Sequence, residues 1–488
     1  MNTFIGIDLG TSSMKLLLVD ETGSILSSCS EEYPISYPKP GWSEQSPEDW
    51  YSALERGLPR LLRGQDVSAV RAMGFGGQMH GLVALDGSDR VIRPCILWND
   101  GRTEAETEYL NTVIGKKKLS DCTANIAFAG FTAPKILWMK KNEPENFARI
   151  SKIMLPKDYL VYRLSGVHAS DYSDASGTLL LDVQNKRWSE EMCRICSVEK
   201  SWLPKLYESY ESVGMLRDFP AMPELCGKVK IVVGAGDNAA AAIGSGTVRD
   251  GDCNISLGTS GTVFISQDKF SVDKANALHS FCHANGSHHL MGCILSAASC
   301  NAWWMNVLKT GDYDGELDGA DKHLGKNDVF FLPYLMGERS PHNDIHAKGA
   351  FIGLHPYTER CQLSLSVLEG VTFALRDCIE VAKKNGLNIK TTRICGGGAK
   401  SRLWRELIAN IIGVPVEVPV YEGGPAYGAA ILCMAACGIY RDVREASGAL
   451  VRITETIYPD RFLTDAYNKQ YEIFTRLYPA LKEVSAIF

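Results

Sequence analysis

Asp8 stands in the string Ile7-Asp8-Leu9-Gly10-Thr11-Ser12-Ser13, and 248 positions later Ile255-Ser256-Leu257-Gly258-Thr259-Ser260-Gly261 repeats it with five of seven residues identical. A Gly-Thr-Ser tip suits phosphate: glycine lets the backbone approach an anion, while turn N–H groups and the hydroxyls donate to its oxygens. The copies differ where a charge would matter, because Asp8 is matched by Ser256. Two phosphate cradles with one carboxylate suggest a nucleotide and one magnesium ion between two lobes. A common tight turn explains one such string equally well; two copies on matching strands argue against coincidence. A second acid, Asp237, follows Ile231-Val232-Val233 in the segment Gly234-Ala235-Gly236-Asp237-Asn238. Just ahead of the second tip, it is placed to accept a proton from a hydroxyl whose oxygen attacks phosphorus. The small residues from Ala239 to Gly246 are expected to let backbone and ligand come close.

A third cluster, Gly74-Phe75-Gly76-Gly77-Gln78-Met79-His80-Gly81, reads as a pocket wall for a small polar ligand, since Gln and His match hydroxyls and carbonyls in fixed geometry. Downstream, Trp98-Asn99-Asp100-Gly101-Arg102 offers an aromatic platform and further polar groups of the kind sugars need. The turn Gly396-Gly397-Gly398-Ala399 leads into a helix with Leu403, Leu407, Ile408 and Ile411 at helical spacing and Ser401 as its N-cap. Such a strand-to-helix turn is a second place for a nucleotide to lie. His279, Cys282, His283, His288 and His289, and separately Cys193 and Cys196, are metal-ligand types without complete spacing, so buried thiols and pocket-edge histidines are expected. Neither a Walker-type loop nor a dinucleotide-binding glycine motif is present.

The elements needed to position these residues are legible. Phe4 to Leu9 with Met14 to Val19, and Cys253 to Leu257 with Thr262 to Ser266, read as hairpins around the tips. A helix near Pro47 to Leu62, strands near Val70 to Phe75 and Ile231 to Val233, a helix from Gln362 to Lys384 and a strand at Thr392 to Cys395 complete an alternating α/β pattern in each half. The lobes should join by short crossings near residues 247 to 250, with a hinge there. Tyr467, Tyr471, Phe474, Tyr478 and Leu481 form one stripe of a terminal helix, suited to core or to a subunit contact, and a homodimer is among the expectations.

The whole chain narrows the class. Its 488 residues exceed one ordinary core. With 45% hydrophobic and 22% charged residues, and no run of roughly 20 apolar residues, a membrane protein is not expected. Fifteen scattered cysteines and an N-terminus without an export signal point to the cytoplasm. Fifty-seven acids against 51 bases argue against a nucleic-acid partner.

Taken together, the motifs resemble those of the FGGY carbohydrate kinases almost from end to end. The resemblance runs through Gly6 to Ser12, Gly77 to Gly81, Ile96 to Arg102, Leu155 to Tyr159, Gly236 to Ala240, Ser256 to Gly261, His279 to His283, Gly337 to His342 and Gly396 to Ala399. It implies two ribonuclease-H-like, actin-type ATPase domains related by internal duplication around an interlobe cleft. Residues 1–247 would form the sugar-binding lobe with the first phosphate hairpin; residues 248–488 would form the nucleotide-binding lobe with the C-terminal helix. The implied activity is ATP-dependent phosphorylation of D-xylulose to D-xylulose 5-phosphate, with Asp237 as general base. Asp8 would be the second catalytic acid and hold Mg2+ through water. Gln78, Met79, His80, Trp98, Asp237 and Asn238 would face the sugar. Thr11, Ser12, Gly258, Thr259, Ser260, Gly397, Gly398 and Ser401 would meet the nucleotide and its phosphates. A kinase for ribulose, glycerol or gluconate is the alternative within the family, and an actin-like ATPase or a sugar sensor the alternative outside it.

Overall fold

Two sheets carry the molecule, and each is built around one Gly-Thr-Ser hairpin. The computed structural model describes residues 1–420, 424–485 and 487. In the first sheet, β1 (Thr3–Leu9) pairs antiparallel with β2 (Ser13–Asp20), which pairs antiparallel with β3 (Ile25–Glu32). On its other side β1 runs parallel to β4 (Val70–Gly77), followed by β5 (Ser212–Met215) at the edge and β6 (Lys230–Val232) between β5 and β4. A short β7 (Ala235–Gly236) continues alongside β4.

The second sheet repeats this plan. Its β8 (Cys253–Leu257) is antiparallel to β9 (Gly261–Gln267) and parallel to a later strand, as β1 is to β2 and β4. Strand β10 (His279–Cys282) is an added edge beside β11 (His288–Ile294), and β12 (Thr392–Cys395), β13 (Val416–Pro419) and β14 (Ile453–Ile457) complete the order. Parallel pairing of β12 with β13 and antiparallel pairing of β13 with β14 match β4, β6 and β5. The duplication seen in seven residues thus extends to a whole sheet.

The nearly uninterrupted apolar character of β1 follows from burial on both faces. Alternate side chains point to opposite sides. Ile5 and Ile7 join Trp50, Leu54 and Leu58 of α1 (Pro47–Leu61) in one core. Phe4, with Leu17 and Val19, joins a different core containing Ala426, Ala430 and Ile431, from a helix at Gly424–Ala436. The second half of the chain therefore supplies one cover of the first sheet. That helix also lies against α2 (Asp237–Ser245) at a separation only glycine permits: a Cβ on Gly428 would sit 1.8 Å from the Ala240 carbonyl oxygen. The small residues Ala239 to Gly246 do two things: Ala241 and Ser245 line a cavity with Asp237 and Asn238, while Ala240 and Gly244 admit this helix, because two backbones can approach so closely only where side chains are minimal.

The other expected helices form as α3 (Arg360–Lys384), α4 (Arg402–Ile412) and α5 (Arg461–Ser485). Tyr467 and Phe474 of α5 are buried against Phe373 of α3, with ring centroids 6.2 and 5.1 Å apart, so the aromatic stripe is core of the second lobe. The lobes touch elsewhere as well: Asn125 exchanges hydrogen bonds with the Ser280 backbone, and the Cys282 N–H donates to the Ser176 hydroxyl at 3.0 Å. No disulfide joins any of the fifteen cysteines, and no described helix is long and apolar enough to cross a membrane.

Candidate functional site

The two acids singled out by sequence meet because β1, β4 and β7 end side by side. Asp8 is in register with Gly76 of β4, and Ala235 of β7 is in register with the same Gly76. Asp237 is the first residue of α2, directly after β7. Its Oδ1 accepts the Asn238 backbone N–H at 2.7 Å and the Asn238 amide at 2.9 Å. Burial nevertheless raises Asp237 to about 6 against these donations. Asp8 is raised to about 7, first by burial and then by the nearby negative charge of Asp237, with Lys15 opposing. Neither Asp8 oxygen accepts a hydrogen bond among the described residues. Two half-buried carboxylates that resist ionising beside each other fit a divalent cation, whose charge would relieve both.

The acid-bearing turn is mounted on a buried ionic hub. The Gly236 N–H donates to the Ser173 hydroxyl at 3.1 Å, and that hydroxyl donates to Asp171 at 2.5 Å. The fully buried Lys157 ammonium stands 2.8 Å from Asp171 and 2.6 Å from Asp158. Burial pushes Asp174, 3.7 Å from the same ammonium, well above the usual carboxylate range.

Both phosphate-type tips are open to solvent while their anchors are not. Thr11 is half-buried and Ser12 exposed; Gly258 is half-buried and Thr259 and Ser260 are exposed. The first tip is tied through its carbonyls: the Tyr33 hydroxyl donates to Gly10 O at 2.5 Å and Gln45 Nε2 to Thr11 O at 2.6 Å. The second tip is tied to the N-terminal turn of the helix Ala298–Leu308, where the Ala298 N–H donates to Gly258 O at 2.9 Å and the Ser299 hydroxyl to Thr259 O at 2.7 Å.

The pocket wall follows β4. Gln78 is buried, donates to Gln45 Oε1 at 3.0 Å and leaves its own Oε1 without a partner. Met79 packs on Gly236, where a Cβ would meet its side chain at 3.0 Å. His80 adopts the left-handed backbone region at φ 71°, held by Lys135 Nζ and the Thr132 hydroxyl, which donate to its carbonyl at 2.8 and 3.1 Å. Its ring stacks on Phe131 at 4.6 Å, and Nδ1 lies 2.7 Å from the Gly177 carbonyl. Burial lowers His80 to about 3, so the ring is neutral. A carbonyl only accepts, so Nδ1 carries the hydrogen and Nε2 is left as an acceptor. Trp98, 44% exposed, donates its indole N–H to the Thr11 hydroxyl at 3.0 Å, linking the wall segment to the first tip. Asp100 and Arg102, read from sequence as available polar groups, pair with each other instead, and Arg102 lies over Trp42 at 3.7 Å. An ion pair of this kind, fully buried, leaves neither partner free for a ligand.

Asp237, Asn238, Ser256, Gly396 and Pro425 line one cavity of about 280 Å³ between the halves. Gly396, at φ 92°, is pressed against Leu257 of β8, whose carbonyl a Cβ would meet at 2.7 Å. Gly397 has open space around it and Gly398 packs on Leu257 and Trp404. The Ser401 hydroxyl caps α4 by accepting the Trp404 N–H at 3.3 Å, as its spacing predicts. Sequence reasoning missed Gln45 and Lys135, which no local pattern marks. It quoted Lys157, Asp158 and Arg339 only within motifs and gave them no role, and it expected His279 at a pocket edge; what each does depends on segments far away in the chain.

The fold agrees with that of similar proteins. Residues 3–244 match the N-terminal domain of the FGGY family of carbohydrate kinases, and residues 253–437 match its C-terminal domain. The xylulose kinase of Escherichia coli (strain K12) is 40% identical over 486 residues, covering 99% of this chain and 100% of that one. The crystal structure of a xyloylose kinase from Brucella ovis superposes with a TM-score of 0.93 at 39% identity, covering 99% and 100% of the two chains. The crystal structure of gluconate kinase from Lactobacillus acidophilus reaches 0.94 at 26% identity, covering 98% of each. A duplicated fold of actin-like type, one Gly-Thr-Ser hairpin in each half and matches over nearly the full chain together show that this chain belongs to the FGGY family of carbohydrate kinases.

Proposed function

We propose that the protein transfers the γ-phosphoryl group of MgATP to the terminal hydroxyl of D-xylulose, giving D-xylulose 5-phosphate and ADP. The observation that carries the reading is Asp237: a carboxylate raised to about 6, beside Asp8, in a cavity shared with Ser256 and Gly396 of the other half. Such an acid is ionised near neutral pH yet basic enough to take a proton. Asp237 accepts the hydroxyl proton while the sugar oxygen bonds to the γ-phosphorus and the bond to the β–γ bridging oxygen breaks. Asn238 fixes the base by donating to Oδ1. Asp8 would hold Mg2+, which would supply charge neutralisation at the transferring group. Gln78, Met79 and His80 face the sugar, with His80 Nε2 accepting from a hydroxyl, and Trp98 braces Thr11. Thr11, Ser12, Gly258, Thr259 and Ser260 donate to phosphate oxygens, while Gly397, Gly398 and the Ser401 turn border the nucleotide.

Support for xylulose comes from the identity with xylulose kinases across nearly the whole chain. A second acceptor class has support too, because the gluconate kinase superposes as closely as the xylulose kinases do. The test is ADP release with MgATP against D-xylulose, L-xylulose, D-ribulose, L-ribulose, glycerol and gluconate, alongside Asp237→Asn. The expected result is preference for D-xylulose and a loss of about 10²-fold or more in the variant. Preference for gluconate would replace the substrate, and an unaffected variant would remove Asp237 from the base role.

A further inference from the structure

The loop Gly337–His342 reaches from the second half of the chain toward the pocket wall of the first. The Arg339 guanidinium lies over the half-buried Phe128 ring, 5.1 Å from its centroid. Phe128 in turn touches Phe131 and His279 at 5.4 and 5.1 Å, and Phe131 stacks on His80. The Arg339 charge reaches His80 and His279, helping to keep both rings neutral after the larger effect of burial.

The loop is stapled rather than loose. Cys293 and Ser340 exchange two hydrogen bonds, the Ser340 N–H donating to the Cys293 carbonyl at 2.9 Å and the Cys293 N–H to the Ser340 hydroxyl at 3.1 Å. Glu338 accepts the N–H groups of Leu295 and Arg339 at 2.9 and 2.7 Å. Yet among the described residues the Arg339 guanidinium has no carboxylate within ion-pair distance and donates no hydrogen bond. A half-buried fork of five donors, held in place and unpaired, is arranged for an acceptor that arrives from outside. Across the aromatic cluster His80 Nε2 offers the reverse polarity. A donor-only group and an acceptor-only group flanking one aromatic cluster, close enough for the charge of one to be felt by the other, match a carbonyl next to a hydroxyl.

We propose that Arg339 is a specificity-determining residue that donates to the carbonyl oxygen of an α-hydroxyketone whose neighbouring hydroxyl donates to His80 Nε2. The sugar then bridges the two halves of the chain, and a ketose is bound better than the alditol made by reducing its carbonyl. This inference rests on the ketose-kinase reading above. The experiment measures steady-state kinetics and direct binding of D-xylulose, xylitol and gluconate for the wild type, Arg339→Gln and Arg339→Lys, with thermal midpoints to confirm folding. In Arg339→Gln, KM for D-xylulose rises about tenfold or more, as for a lost charge-assisted hydrogen bond, while KM for ATP stays within about twofold. The wild-type preference for D-xylulose over xylitol falls by a similar factor, and Arg339→Lys recovers part of it.

Unchanged D-xylulose KM and ketose preference in a folded Arg339→Gln overturn the role of Arg339 and leave the kinase reading standing. A shift confined to ATP, or to gluconate, overturns it equally. Failure of the wild type to phosphorylate any ketose overturns both.

Discussion

The two Gly-Thr-Ser hairpins share their backbone plan and differ in what holds them. The first carries Asp8 and is wired to the pocket wall: Gln45 donates to Thr11 O and accepts from Gln78, and Trp98 donates to Thr11. The second carries Ser256 and is wired to a helix N-terminus through Ala298 and Ser299. Duplication supplied two equivalent tips; divergence placed the charge and the link to the Gln78 segment on one and the tie to its own lobe on the other. On the proposed function, the first tip would register what occupies that segment, and the second would hold an anion where the helix puts it.

Substitutions at matched positions test this asymmetry. Asp8→Asn should lower kcat/KM by about 10²-fold or more through loss of the metal-holding charge, whereas Ser256→Ala should change it less than about threefold. Equal losses would mean that the tips are interchangeable. The pH profile has a sign fixed by the raised acids. Asp237 works ionised, so kcat/KM of the wild type should climb through about pH 6 and level off above about pH 7. A flat profile across that range would show that neither carboxylate limits turnover. Smaller effects separate the tips themselves. Thr11→Val removes the acceptor of the Trp98 indole and should raise the sugar KM about threefold to tenfold, while Thr259→Val should raise only the ATP KM by a similar factor.

The strands and turns of both hairpins, the helix after the glycine triplet and the Ser401 cap could all be read from the sequence, because each depends on neighbours within a few residues. Asp237 at a strand end was legible for the same reason. The Asp100–Arg102 pair was misread as free polar groups, since nothing local says that Glu44 and Trp42 enclose it. The run Ala239 to Gly246 reads as space for a ligand, and Ala241 and Ser245 do line the cavity, but the helix packed on Ala240 and Gly244 comes nearly two hundred residues later and leaves no local sign. Gln45 and Lys135 stayed silent, and Arg339 was visible only as part of a motif, because single polar residues carry no periodicity and their roles exist only once distant segments meet.

One feature of the fold bears on how the protein comes into being. The face of β1 and β4 that Gly424–Ala436 covers is made some four hundred residues of synthesis before its cover. Phe4, Leu17 and Val19 complete their packing on that side only when Ala426, Ala430 and Ile431 have been made. The first sheet is thus finished by a segment of the second half, and the nascent first half carries an uncovered apolar surface until that segment emerges.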